Sequence, residues 1–121
     1  MRKSLVVVFL TIMPFAGAMN AFGHSATAVR LQGTDGPGYT ITLKKNGKLV
    51  KTLKRGSYTF VISDKSSFHG FSLDGPDGFA KDFTAIRFTG SKTVTLRLKA
   101  GKYKYYCPNH ESTMFAHFTV T

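Results

Sequence analysis

Residues 93–107, Thr93-Val94-Thr95-Leu96-Arg97-Leu98-Lys99-Ala100-Gly101-Lys102-Tyr103-Lys104-Tyr105-Tyr106-Cys107, decide the fold. Val94, Leu96 and Leu98 alternate with Thr93, Thr95 and Arg97, the period of two that a half-buried strand requires. Ala100-Gly101 turns the chain into a second alternating run, in which Tyr103, Tyr105 and Cys107 share one face. Upstream, Tyr39, Ile41 and Leu43 alternate with Thr40, Thr42 and Lys44, and Asn46-Gly47 is a hairpin signal before a strand over 48–53. Tyr58, Phe60 and Ile62 form one face of a strand entered through Arg55-Gly56, and a last strand over 116–121 groups Phe118 with Val120. Turn signals recur about every ten residues, the spacing of an all-β sandwich or barrel. No helical period is sustained. Only Phe79 to Phe88 leaves room for a short helix or irregular loop, and Gly33 to Gly38 reads as a loop between the first two strands.

Arg2 and Lys3 precede an apolar run from Leu5 to Ala18 and then Met19-Asn20-Ala21-Phe22-Gly23, the layout of a secretory signal peptide. The run is shorter than the roughly 20 residues that span a bilayer, which favours a cleaved signal over a retained anchor. The division expected is therefore a signal over 1–23, its cleavage site open, and one domain over 24–121, with a periplasmic or secreted location and no stable membrane span after cleavage. Were cleavage to follow Gly23, His24 would become an N-terminal residue whose amine and imidazole can chelate metal together.

Arg2 and Lys3 are two of the 17 basic residues and none of the six acidic ones lies in that segment, so the remaining chain carries a formal +9. Two readings fit such a charge: a solvated basic face, or attraction to an acidic partner or anionic surface. Export and the lack of a basic stripe interleaved with aromatics argue against nucleic acid as a partner. No general acid and base pair, phosphate loop or nucleophile triad is visible, which argues against an enzyme.

The single Cys107 cannot form an internal disulfide, and an exposed thiol in an oxidising compartment is a liability. It is therefore either buried and inert or occupied. Its context is Tyr105-Tyr106-Cys107-Pro108-Asn109-His110-Glu111-Ser112-Thr113-Met114, a Cys-x2-His-x3-Met loop between two strands. A thiolate and two imidazoles in a trigonal set, with a long weak thioether on the axis, suit a copper ion cycling between two oxidation states. Alternation places Cys107 and Met114 facing into the sandwich, and His69, just before Phe71 and Leu73, is the natural second imidazole. Each of the four has an ordinary explanation taken singly, as a buried small group, a loop residue, a gap-filler or a turn-side polar residue. Their combination on a β pattern is what points to a metal. His117 falls on the opposite face from Met114 and is expected to be exposed.

The stretch from Tyr39 to Thr121 resembles the plastocyanin-like small blue-copper proteins, the cupredoxin family, through His69-Gly70-Phe71, Gly75-Pro76, Gly101-Lys102-Tyr103 and the ligand loop. The resemblance implies a cupredoxin-like Greek-key β-sandwich binding one copper through His69, Cys107, His110 and Met114, and single-electron transfer between redox partner proteins; the net charge adds the expectation of an acidic docking face on such a partner. Three positions depart from the family pattern. Gly70 stands where Asn is frequent, so a side-chain link between the ligand loops should be missing. Pro108 is followed by Asn109 rather than directly by the histidine, which leaves an Asn109 amide to join that of Gly70 as a donor to the Cys107 sulfur. Ala116 stands where Gly is frequent. Phe68, Pro108 and Phe115 are expected to form an apolar surround for His110. Two other functions use the same residues differently: copper binding or delivery without an electron-carrier role, or a metal-free adhesive sandwich.

Overall fold

Asn46 and Gly47 both take positive φ, 50° and 78°. Two successive left-handed residues match the right-handed twist of flanking strands, so this pair reverses the chain in two residues. The computed structural model describes residues 27–121, and the strands in order are β1 (Val29–Asp35), β2 (Ile41–Lys45), β3 (Lys48–Leu49), β4 (Thr52–Leu53), β5 (Gly56–Asp64), β6 (Phe71–Asp74), β7 (Ala80–Thr84), β8 (Gly90–Leu98), β9 (Gly101–Tyr106) and β10 (Phe115–Val120). A single 3-10 turn, Pro76–Gly78, precedes β7. The expected signal segment and His24 lie outside the described residues. Among the described residues no helix is long and apolar enough to cross a membrane.

Two five-stranded sheets form, ordered β3-β2-β1-β5-β8 and β4-β10-β9-β6-β7. Most neighbours are antiparallel, but β1 runs parallel to β5 and β4 parallel to β10. Alternation buries one side of each sheet: Leu31, Phe60 and Ile62 from the first meet Phe71, Leu73, Tyr105 and Phe118 from the second. Rings interlock there, with Phe71 stacked on Tyr105 at 5.6 Å and Tyr103 on Phe118 at 5.1 Å, contacts that add to the area they remove from water.

The parallel β1–β5 register ends with Asp35 beside Asp64, and Tyr106 pairs with both Ser72 and Phe115. The loops leaving β1, β5 and β9 therefore gather at one end of the sandwich. At the opposite end Gly56 pairs with Leu98 and Val120 with both Gly101 and Leu53.

Four expectations need correction. The strand expected over 48–53 breaks after Leu49 into β3 and β4, which join different sheets. The stretch from Phe79 to Phe88 holds strand β7 followed by a turn. With only Phe83 and Thr84 buried on an edge strand, alternation was too faint to read. Gly33 and Asp35 are turn-forming types by themselves, yet both are buried within β1, and the loop spans only Gly36 to Thr40. Tyr39 belongs to that loop rather than to β2 and is 69% exposed.

Candidate metal centre

Local hydrogen bonds deliver His69. Asp64 Oδ1 accepts from the Ser66 amide (3.1 Å) and Ser66 Oγ from the Phe68 amide (3.2 Å), two side-chain-closed turns in succession. The His69 amide then bonds Ser66 O at 3.4 Å. Gly70 follows because nothing larger fits: a Cβ there would stand 2.7 Å from Thr84 O. The strand pairing shifts register between Phe71 and Ser72, where Phe71 N donates instead to Thr84 Oγ1 at 3.0 Å. A bulge of this kind re-aims the chain beside a site.

The second loop is wound equally tightly. His110 N bonds Cys107 O at 3.0 Å, closing a four-residue turn with Pro108 at its second position, where a fixed φ is favourable. Met114 N reaches His110 O at 2.7 Å, and Cys107 N bonds Met114 O at 3.0 Å, so the loop's two ends are tied together. Cys107 and Met114 are buried, as is His69, while His110 is half-buried.

These loops bring three donor atoms together. His69 Nδ1 and His110 Nδ1 are 3.1 Å apart, and each is 3.8 Å from Cys107 Sγ. A point equidistant from all three lies about 2.1 Å from each, matching the ~2.0–2.3 Å bonds that imidazole and thiolate make to first-row metals. The three side chains thus fit a trigonal metal site of two imidazole nitrogens and one thiolate sulfur. Met114 is adjacent in the same loop through the bonds just described.

Tyr39 was missed in the sequence as part of this site. Its ring sits edge-on to both imidazoles, with centroids 5.4 Å from His69 and 5.0 Å from His110. Nothing local marks it, because the contact arises only when the β1–β2 loop reaches the ligand end. Tyr39, Phe68, His69, Asn109 and His110 border a crevice of about 310 Å³.

Asn109 was anticipated as a backbone donor to the Cys107 sulfur, around which the imidazole nitrogens of His69 and His110 stand at 3.8 Å. The Asn109 side chain acts differently: Nδ2 donates to Phe68 O at 3.5 Å, a long bond joining the ligand loops. It supplies from one side the kind of link that Gly70 cannot. Of the expected apolar surround only Phe68, 71% exposed, borders the crevice. Phe115 packs against His117 on the outer face of the second sheet, and Pro108 borders a separate hollow with Ser72 and Asp82. His117 is exposed, as expected.

Beside Cys107, half-buried Tyr106 donates to Asp74 Oδ1 at 3.2 Å. Burial, then the negative charges of Asp74, Glu111 and Asp82, pushes its phenol up to about 12, so it stays protonated.

The architecture is the cupredoxin fold, a two-sheet β-sandwich with the site at one end. Among solved structures it is similar to rusticyanin from Thiobacillus ferrooxidans, at 19% identity over 80% of this chain and 79% of that one, with a TM-score of 0.54. Reduced rusticyanin gives the same TM-score over 81% and 82% of the two chains at 19% identity. A further rusticyanin structure, described as that of a copper protein, gives 0.54 at 20% identity over 80% of each chain. No family model and no curated protein matches the sequence.

Proposed function

We propose that this chain is an exported blue-copper protein, residues 24–121 forming its one domain, that carries single electrons between redox partners in the periplasm or outside the cell. The observation that supports it most is the donor triangle at 3.1, 3.8 and 3.8 Å. Cys107, His69 and His110 would hold the ion, with Met114 of the same loop as a weaker donor. Copper, when bound, supplies the one-electron couple.

The chain's own contribution is rigidity and exclusion of water. Two hydrogen-bonded loops on a stacked aromatic core keep the donors in place, so little rearrangement accompanies a change of charge. Cys107 is fully buried, which shields the thiolate from oxidants. Half-buried His110 borders the crevice and, with copper bound, would be the ligand nearest a partner docked there. A redox partner meets this edge through Tyr39 and Phe68. The acidic docking face anticipated from net charge is less well matched here, because most basic residues lie at the other end of the sandwich. No catalytic residue is needed for this role.

The test is a copper titration followed by optical spectroscopy and potentiometry. One copper per chain, an intense visible thiolate-to-copper band and a reversible one-electron couple are expected. Stoichiometric copper at this site without colour would refute the assignment, and ready loss of the ion to an acceptor protein without reversible cycling would support delivery instead.

A further inference from the structure

Residues 44–55 carry Lys44, Lys45, Lys48, Lys51, Lys54 and Arg55, all exposed, and no acidic residue. This segment crosses from the edge of one sheet to the edge of the other: β3 pairs with β2, while β4 pairs with β10 and Thr119 N donates to Lys51 O at 3.0 Å. It leads into Gly56, at the end of the sandwich away from the ligand loops, where Arg97 of the neighbouring edge strand β8 and Lys99 just beyond it join it. Of the six acidic residues, Asp35 and Asp64 are buried and Asp74, Asp82 and Glu111 surround Tyr106, leaving only Asp77 at this end, bonded to Lys99. The molecule is therefore electrically polar, with its metal-site edge away from its strongest positive field.

Apolar surface lies between these charges. One hollow of about 510 Å³ sets Lys45, Lys48 and Lys51 around Leu49, Val50 and Leu53, with Leu49 51% exposed. A second of about 380 Å³ sets Arg55, Arg97 and Lys99 around Phe79, Leu98 and Tyr103. A cationic rim over an apolar floor is matched to the boundary of an anionic bilayer, where phosphates meet ammonium and guanidinium groups and lysine stems and leucine rest on glycerol and acyl carbons. A hydrophilic polyanion has nothing to place on such floors.

We infer that the basic end built by residues 44–55 and the adjoining Arg97 is a docking surface for an anionic lipid bilayer, which it grips peripherally while the metal-site edge faces away. This holds whether or not the site carries copper.

The test is sedimentation of the isolated protein with vesicles of phosphatidylcholine alone and of phosphatidylcholine and phosphatidylglycerol in equal parts, with circular dichroism to verify folding of each variant. The wild-type protein should bind only the anionic vesicles. The triple variant Lys45→Glu, Lys48→Glu, Lys51→Glu should lose about 100-fold or more in partitioning, at roughly fivefold per charge removed. The matched triple Lys65→Glu, Arg87→Glu, Lys92→Glu, from the other part of the molecule, should lose at least tenfold less. Leu49→Ser should weaken binding several-fold without altering charge. Equal losses in the two triples would reduce the effect to net charge and overturn the inference. So would equal binding to neutral vesicles, or binding to anionic vesicles indifferent to Leu49→Ser and matched by a soluble acidic polymer.

Discussion

Asp35 and Asp64 end adjacent parallel strands side by side, and both are buried. Asp64 Oδ1 caps the turn that leads to His69, whereas neither oxygen of Asp35 has a hydrogen-bond partner. Burial, then the neighbouring Asp64, raises the Asp35 carboxyl from 3.8 to about 8. The folded protein therefore holds a proton that the unfolded chain releases between these values, so the contribution of this carboxyl to stability is greatest at acid pH, declines as pH rises through that window and levels off above it. Asp35→Asn, which removes the charge, should flatten the profile and stabilise the protein above pH 8. Denaturant unfolding across the acid to alkaline range measures this. A profile no flatter in the Asp35→Asn variant would contradict it.

Cys107→Ser should abolish the visible band of the copper-loaded protein and weaken copper binding by at least about 100-fold, since a hydroxyl is a poor replacement for thiolate at a soft site. Absorption and a chelator competition report the two effects separately. A coloured serine variant would place the chromophore elsewhere.

Met114→Leu should keep copper bound and raise the reduction potential, because losing a weak donor disfavours Cu(II) more than Cu(I). Voltammetry decides the sign. An unchanged or lowered potential would remove Met114 from the ligand set.

Tyr39→Ala should lower the potential, since the ring shields both imidazoles and admitting water stabilises the more highly charged oxidised site. Tyr39→Phe should match the wild type, as the ring rather than the hydroxyl makes the contact. With Tyr39 69% exposed, its loss should change stability by less than about 1 kcal/mol. Equal potentials in all three proteins would confine Tyr39 to a surface role.

Gly70→Ala should destabilise the fold by about 1–3 kcal/mol, because the new methyl meets a strand carbonyl that cannot move freely. Thermal unfolding of the metal-free protein isolates this packing cost from any effect on copper. An alanine variant as stable as wild type would show that the bulge beside Thr84 can relax.

The alternation around Val94–Leu98 and Tyr103–Cys107 made the sandwich legible, because each of those strands has one buried and one solvated face. Edge strand β7 and the end of β1 were not, since Gly33, Asp35 and Asp82 owe their strand positions to neighbours distant in sequence. The ligand loop was legible because Cys107, His110 and Met114 lie within eight residues, and His69 because it stood alone near a strand. Tyr39, the Asn109 link and the Asp35–Asp64 pair were illegible for a common reason: each is a meeting of separate loops or strands, set by the fold and unmarked in local pattern. Charge was legible as a total but not as a pole.

The proposed ligand set would join positions 38 residues apart, His69 on the connection between the two sheets and Cys107 at the end of a strand in the second. A chain with one cysteine cannot brace itself covalently, yet an ion shared by these two residues ties off the same length of chain that a disulfide between them would. Because the donors meet only in the folded chain, binding of the ion there would stabilise the fold by mass action. Loading with metal would then act as a late fastening of the sandwich, and a protein stripped of its ion would lose a brace between its sheets as well as its colour.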